Sequence, residues 1–440
     1  MAIPLAARAA VQVFASILAP TLIASLAASA LAAEAPLTLA AAQQRAVERS
    51  RMLVAQDAAV TASREMAVAA GQLPDPTLKL GIDNLPIDTA DRFSLTRDFM
   101  TMRQIGVMQE FTRSEKRRAR SERLEREAEK SLAEKQARLA SIERDAALAW
   151  LDRYYAEQVA AVITEQSSQA KLEIDAAEGM YRAGRGSQSD LIAARAALVA
   201  LDDRASELRR RVRNAKIALA RWVGDVAEAP LAGKPDIDAL RFDPRTLDAD
   251  IAHHPQIAVL SRQEDIAEAE VKLAQANKKA DWSVELMYSQ RGPAYSNMVS
   301  VAVSIPLQWD QPNRQNRELA AKLAMADQAR AEREDMLRAH TAEVRVMIEE
   351  WNNGHERRLR YERELLPLAK ERTQATLAAY RGAKASLVDV LTARRNEIDV
   401  RLQSLQLEMD TARLWAQLNF LVPDDVAGAP RSVNRPKDQP

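Results

Sequence analysis

Apolar and polar positions along the 440-residue chain follow two different periods, and the switch between them recurs. From Leu39 to Gly71 the spacing is helical, and the Leu73-Pro74-Asp75-Pro76 corner ends it, because proline stops a helix and restricts the residue before it. Thr77 to Ile82 then alternates, with Leu78, Leu80 and Ile82 on one side and Thr77, Lys79 and Gly81 on the other. Arg103 to Phe111 alternates again, Ile105 and Val107 against Gln104, Gly106 and Met108. Period two predicts strands, here a β-hairpin over about 77–111. Helical spacing returns at Thr112 and reaches Gly184 with no proline and only Gly179 on the way. Leu124, Ala128, Leu132, Leu139, Ile142, Ala146 and Trp150 form a coiled-coil-like seam of intervals 3, 4 and 7. About 70 residues at about 1.5 Å each make a rod of roughly 100 Å, which must pack along its neighbours.

The same plan then repeats. Trp282, Val284, Leu286 and Tyr288 oppose Ser283, Glu285, Met287 and Ser289; beyond Gly292-Pro293, Val299, Val301, Val303 and Ile305 oppose Ser300, Ala302 and Ser304. This predicts a second hairpin over about 282–307, followed by a helical hairpin over 313–422 with Pro367 as a kink. The tips repeat in register. Tyr181, Arg182, Ser187, Asp190, Ala194 and Arg195 recur at an offset of 199 as Tyr380, Arg381, Ser386, Asp389, Ala393 and Arg394. Internal repetition of this kind points to two copies of one unit. The copies span 34–223 and 247–423; the Pro-, Gly- and Asp-rich stretch 224–246 reads as a linker, and the polar tail 424–440 as disordered.

Composition bears on compartment and source of stability. Arg8, the uncharged stretch Val11–Ala30 and the small residues before Glu34 have the layout of a secretory signal peptide over 1–33, with a transmembrane anchor as the competing reading. No other segment offers the roughly 20 apolar residues of a spanning helix, so a membrane location would rest on β-strands or surface contact. The absence of cysteine excludes disulfides, thiolate ligands and a lipidated N-terminal cysteine. Lys+Arg and Asp+Glu both number 62, so no global field recruits nucleic acid. Apolar content of 47% with only 4% aromatic residues suits long helices better than a thick core.

Four alternating strands cannot close a barrel, and open edges are not tolerated in lipid. Either several chains share one barrel, or the hairpins form a soluble meander beside the rods. The tip motifs Tyr181-Arg-Ala-Gly…Ser187-x-x-Asp190-Leu and Tyr380-Arg-Gly…Ser386-x-x-Asp389-Val, on a twice-repeated hairpin-and-rod plan, resemble the TolC-type family of outer-membrane efflux proteins. Gly71-Gln-Leu-Pro-Asp-Pro76 and Asn84-Leu-Pro86 resemble its heavy-metal (CzcC-like) branch. The resemblance implies a mainly α fold with membrane β, a homotrimer whose chains give twelve strands to one barrel and twelve helices to a periplasmic tunnel. It also implies an exit duct in the outer-membrane lipid, working with a periplasmic adaptor and an inner-membrane pump, for metal cations or small toxic compounds. It implies a pore constriction at Asp389, with Tyr380, Arg381 and Asp190 as further constricting positions. A second aspartate ring, often found in the family, would fall on Thr392, a departure from the family pattern that leaves one or two rings open. It implies adaptor contacts at the tips, Ala183, Gly184, Arg185, Gly186 and Ser187 in the first copy and Gly382, Ala383, Lys384, Ala385 and Ser386 in the second.

Simpler roles stand beside these. Asp190 and Asp389 sit where helix-capping residues belong. The competing function is a periplasmic coiled-coil structural or adaptor protein that conducts nothing. His253-His254 has the wrong geometry for one metal ion and His254-Pro255 reads as a helix start; Met100, Met102 and Met108 offer thioethers to a soft cation or fill a strand. The basic run Arg113–Arg120 lacks interleaved aromatics and reads as a solvated face or interface anchor. No phosphate loop, nucleophile triad or paired catalytic carboxylates stand out, so neither an enzyme nor a resident cofactor or metal is expected.

Overall fold

The computed structural model describes residues 35–184, 187–242, 251, 254–382 and 384–421. The expected signal peptide and tail lie outside the described residues, as do Arg185, Gly186, Ala383, His253 and 243–250.

The helix expected over 39–71 forms as two. Ser50 is extended and its hydroxyl accepts from Leu53 N–H, so α1 (Leu39–Arg49) ends there and α2 (Arg51–Ala70) begins with its own cap. Strand β1 (Thr77–Asp83) pairs with β2 (Met102–Phe111), which runs into α3 (Ser114–Arg182), a single helix of 69 residues. α4 (Gln188–Val223) returns from the first tip. In the second copy, α5 (Pro255–Asn277) leads to β3 (Trp282–Gln290) and β4 (Met298–Ser304), then α6 (Gln315–Arg360). His254 caps α5, its Nδ1 accepting from Gln256 N–H, so the His-Pro pair is the helix start the sequence suggests. At the expected kink, a π-helical turn (Tyr361–Leu365) precedes α7 (Leu366–Arg381), and Leu366 donates to the Tyr361 carbonyl. The wider turn absorbs Pro367, which cannot donate to the residue four before it. α8 (Leu387–Asn419) completes the second hairpin.

The two hairpins join into one antiparallel sheet of order β1-β2-β3-β4, with Phe111 opposite Trp282 at the central seam. Below it the helices stand in single file. α2, α3, α5 and α6 each pack on the next in that order; further down, α4, α3, α8 and α7 do the same. Each strand continues into its own helical column, so the chain is a wall four elements wide and one element thick. The seam on α3 is buried at Leu124, Ala128, Ile142, Ala146 and Trp150, whereas Leu132 is exposed. One long helix meets different neighbours along its length, and a straight α-helix drifts relative to a fixed seven-residue repeat.

The stretch expected as a linker is, over 224–242, a strap packed across the waist of the wall. Its carbonyls are taken by side chains from the helices: Trp415 Nε1 donates to Ala239 at 2.9 Å and Trp351 Nε1 to Ile237 at 3.3 Å, while Trp150 Nε1 donates to Leu37 beside the strap at 2.9 Å. Arg153, 2% exposed, donates to Ala227 and Ala229 at 2.6 and 2.8 Å. Leu37 bridges to Leu231, and Ile237 is buried in the main core with Leu151, Leu219 and Ala416.

Candidate functional site

The alternation in the strands sorts the two faces of the sheet. Leu78, Val107, Leu286 and Val301 lie side by side across four strands, as do Leu80, Ile105, Tyr288 and Val299. All of these are exposed, with Leu80 at 70% and Val301 at 69%. Phe111 and Trp282 stack at 4.4 Å at the helical end of this face. An apolar surface this continuous is foreign to water-facing sheets. The opposite face carries Ser283, Ser289, Ser300 and Ser304 and an ion pair between Lys79 and Glu285. Gly106 lets Met287 lie flat over it; a Cβ there would stand 2.6 Å from the Met287 sulfur and 2.7 Å from the Leu286 carbonyl. At the far end the loop 84–101 locks to the loop 291–297: Arg291 Nε donates to the Phe99 carbonyl at 3.0 Å, and a Cβ on Gly292 would meet the Thr96 carbonyl at 1.9 Å.

Both edges of the wall are unpartnered. β1 and β4 each have one free hydrogen-bonding edge among the described residues. Exposed apolar side chains cluster on the outermost helices: Met52, Val54, Met66 and Val68 on α2, Leu323, Met325 and Val346 on α6, Ile192, Val199 and Ile217 on α4, and Leu368 on α7.

The two tips meet at the end remote from the sheet. Ile174 and Ala177 of α3, Leu191 and Ala194 of α4, Leu387 and Leu391 of α8 and Tyr380 of α7 share one small core. Burial and the Asp190 charge raise the Tyr380 phenol, so the structure brings these two expected constriction residues together across the copies. Arg381 and Asp389 are exposed. Asp389 forms a capping box with Ser386: its carboxylate accepts from Ser386 N–H at 2.9 Å and hydroxyl at 2.7 Å, while Ser386 Oγ accepts from Asp389 N–H at 3.2 Å. The Ser386 hydroxyl, then its N–H, hold the Asp389 carboxyl below the usual range. At the first tip Ser187 caps through Ser189 N–H, and Gly184 takes φ +70°, a left-handed position that disfavours side chains. Gly382 ends α7 at φ −85°, so the two turns differ. Ala183 and Lys384 flank them at the surface, and Ala385 is half-buried.

Two polar groupings were not foreseen from the sequence. Arg394 pairs with Glu173 at 2.7 Å and reaches Glu397 at 3.7 Å, tying α8 to α3 just above the tips. At the waist, His254 faces His340 with ring centroids 4.3 Å apart, both nearly buried. Residues 86 positions apart give no spacing signal. Burial pushes His254 down to about 4, aided by His340 and Arg144 and opposed by a hydrogen bond to the Leu421 backbone. The unfolded group titrates near 6.5, so the folded state binds fewer protons between these values. The His254 contribution should therefore lower stability as pH drops from about 6.5 to about 4, by roughly 3 kcal/mol, and change no further below that. His254→Asn, which still caps α5 but does not ionise, should flatten that part of a thermal-melting pH profile.

Comparison with known proteins bears on the fold. No protein-family model and no curated protein sequence matches the chain. Solved structures do. The outer-membrane channel OprN is similar with a TM-score of 0.73 and 17% identity, over 88% of this chain and 90% of that one. CusC, described through its transmembrane channel formation, gives 0.74 and 15%, over 87% and 91%. The outer membrane protein VceC of Vibrio cholerae gives 0.69 and 17%, over 87% and 95%. At these identities the likeness is one of fold, and this chain has the fold of those outer-membrane proteins.

Proposed function

We propose that the chain is a TolC-type outer-membrane exit duct, acting as a homotrimer on a periplasmic adaptor and an inner-membrane pump. The observation that carries this is the single-file wall with two free edges. An even number of strands per chain lets β4 of one copy pair antiparallel with β1 of the next, so three copies close a twelve-stranded barrel. The same closure brings α6 against a neighbouring α2 and α7 against a neighbouring α4, covering the exposed apolar residues of both. The apolar sheet face then meets lipid and the serine-lined face the lumen, the alternation of membrane barrels. A non-conducting coiled-coil protein has no use for that apolar face. A duct has no reaction to catalyse and draws its energy from the pump. The cargo we propose is metal cations or small toxic compounds, in keeping with the heavy-metal branch the corner motifs resemble.

Fractionation tests the reading directly. The mature protein should sediment with outer membranes and run as a heat-dissociable oligomer on gels; recovery as a soluble periplasmic monomer would overturn it.

For the closed end, we assign Asp389 to a ring of three carboxylates, with Tyr380, Arg381 and Asp190 behind it, and the tips 183–187 and 382–386 to the adaptor. Asp389→Asn keeps an oxygen for the Ser386 hydrogen bonds while removing the charge. It should weaken block of single-channel current by trivalent cations, whereas Asp389→Glu should retain it. Equal block in both variants would leave Asp389 as a cap alone.

A further inference from the structure

Three strand-to-helix junctions are tied into one collar directly below the apolar face of the sheet. Arg113 donates from Nε to the Ala280 carbonyl at 2.8 Å and from its backbone to Asp281. Gln308 and Gln311 donate to the carbonyls of Asn277 and Lys278. The charge here is lopsided in a chain whose total is zero: residues 113–120 carry five bases and one acid, 278–281 two and one, 307–317 two and one. Those acids are already engaged, Glu115 by Lys279 at 2.6 Å, Asp281 by Lys116 at 2.8 Å and Asp310 by Asn313 at 2.8 Å. Arg118, Arg314 and Arg317 are exposed and enter no ion pair among the described residues. Beside them Trp309 is 87% exposed, continuing the apolar positions Ile305 and Leu307. The loops at the other end of the sheet, 84–101 and 291–297, hold three acids and three bases.

We propose that this collar binds the headgroups of anionic phospholipids in the leaflet on the helical side of the membrane. The inference rests on the sheet being inserted in a bilayer. Guanidinium groups match phosphate oxygens in a paired geometry, and indole prefers headgroup depth. Cations clustered at a membrane surface attract anionic lipid over zwitterionic lipid. The asymmetry between the two ends assigns the preference to one leaflet.

The test uses the mature protein in non-ionic detergent, with the heat-dissociation midpoint of the oligomer as readout. Phosphatidylglycerol should raise the midpoint by several degrees, while phosphatidylcholine and soluble glycerol 3-phosphate should not. The triple variant Arg118→Gln/Arg314→Gln/Arg317→Gln should lose the shift, and the corresponding triple lysine variant should keep it. Equal shifts with both lipids, or persistence in the glutamine variant, would overturn the proposal. A shift reproduced by glycerol 3-phosphate would make this an anion site and not a lipid site, which also overturns it. Tryptophan quenching by brominated phosphatidylcholine separates the two readings. Quenching without phosphatidylglycerol selectivity overturns only the lipid preference; absence of quenching overturns insertion and the collar together.

Discussion

Lysine at Val301 should abolish outer-membrane assembly, while lysine at the preceding Ser300 should be accepted. Both residues lie in the middle of β4 and both are exposed, so neither substitution disturbs packing within one chain. They differ only in the face they occupy: Val301 continues the row from Leu286, and Ser300 stands beside Met287. A lysine held at mid-bilayer costs roughly 2–4 kcal/mol per chain, and three copies pay it together in a trimer; a lumen-facing lysine meets water. Heat-modified gel migration of outer-membrane fractions reads the outcome. Equal tolerance of the two lysines would mean that the apolar face never meets lipid.

That contrast rests on a pattern fully legible in the sequence. Alternation alone places Leu78, Leu80, Ile105, Val107, Leu286, Tyr288, Val299 and Val301 on one face, and they lie on one face. Period two differs from helical spacing over several residues, and it fixes which side chains share a face, limiting the register within each hairpin to even shifts. What alternation does not encode is which strands neighbour across the repeat. The pairing of Phe111 with Trp282 joins residues 171 positions apart, and no local chemistry marks it.

Arg153→Met should cost about 3–5 kcal/mol of stability, the range for breaking a buried charged pair. The guanidinium is almost fully buried and serves three partners: the Ala227 and Ala229 carbonyls and the Glu157 carboxylate at 2.8 Å. Removing it leaves two strap carbonyls dry, each worth about 1–3 kcal/mol when unsatisfied. Arg144, whose pair with Asp145 is more than a third exposed on both sides, supplies the control; Arg144→Met should cost under about 1 kcal/mol. Thermal melting gives the comparison, and limited proteolysis should show cleavage within 224–242 in the Arg153 variant alone.

The packing of 224–242 is not legible in the sequence, for a physical reason. Proline, glycine and aspartate keep a segment out of helices and strands, which is equally true of a free linker and of a packed belt. What distinguishes them is whether the backbone finds donors, and here the donors are the Trp351 and Trp415 indoles and the Arg153 guanidinium, all more than 70 positions away. The capping role of Asp389 was readable because Ser386 lies three residues before it, the spacing of a capping box. The salt-bridged cluster of Arg394 was not, since its partner Glu173 lies 221 positions upstream.

The free edges of β1 and β4 also bear on how the protein comes into being. The helical columns find most of their partners within one chain, and α3 alone touches α1, α2, α4, α5 and α8. The sheet does not: within one chain, among the described residues, its two edges stay open and its apolar face stays exposed. Local helical contacts form quickly, whereas pairing across 171 residues must wait for chain closure. On the function proposed above, individual helices that form before that pairing would leave the chain with an unfinished sheet until its neighbours join it.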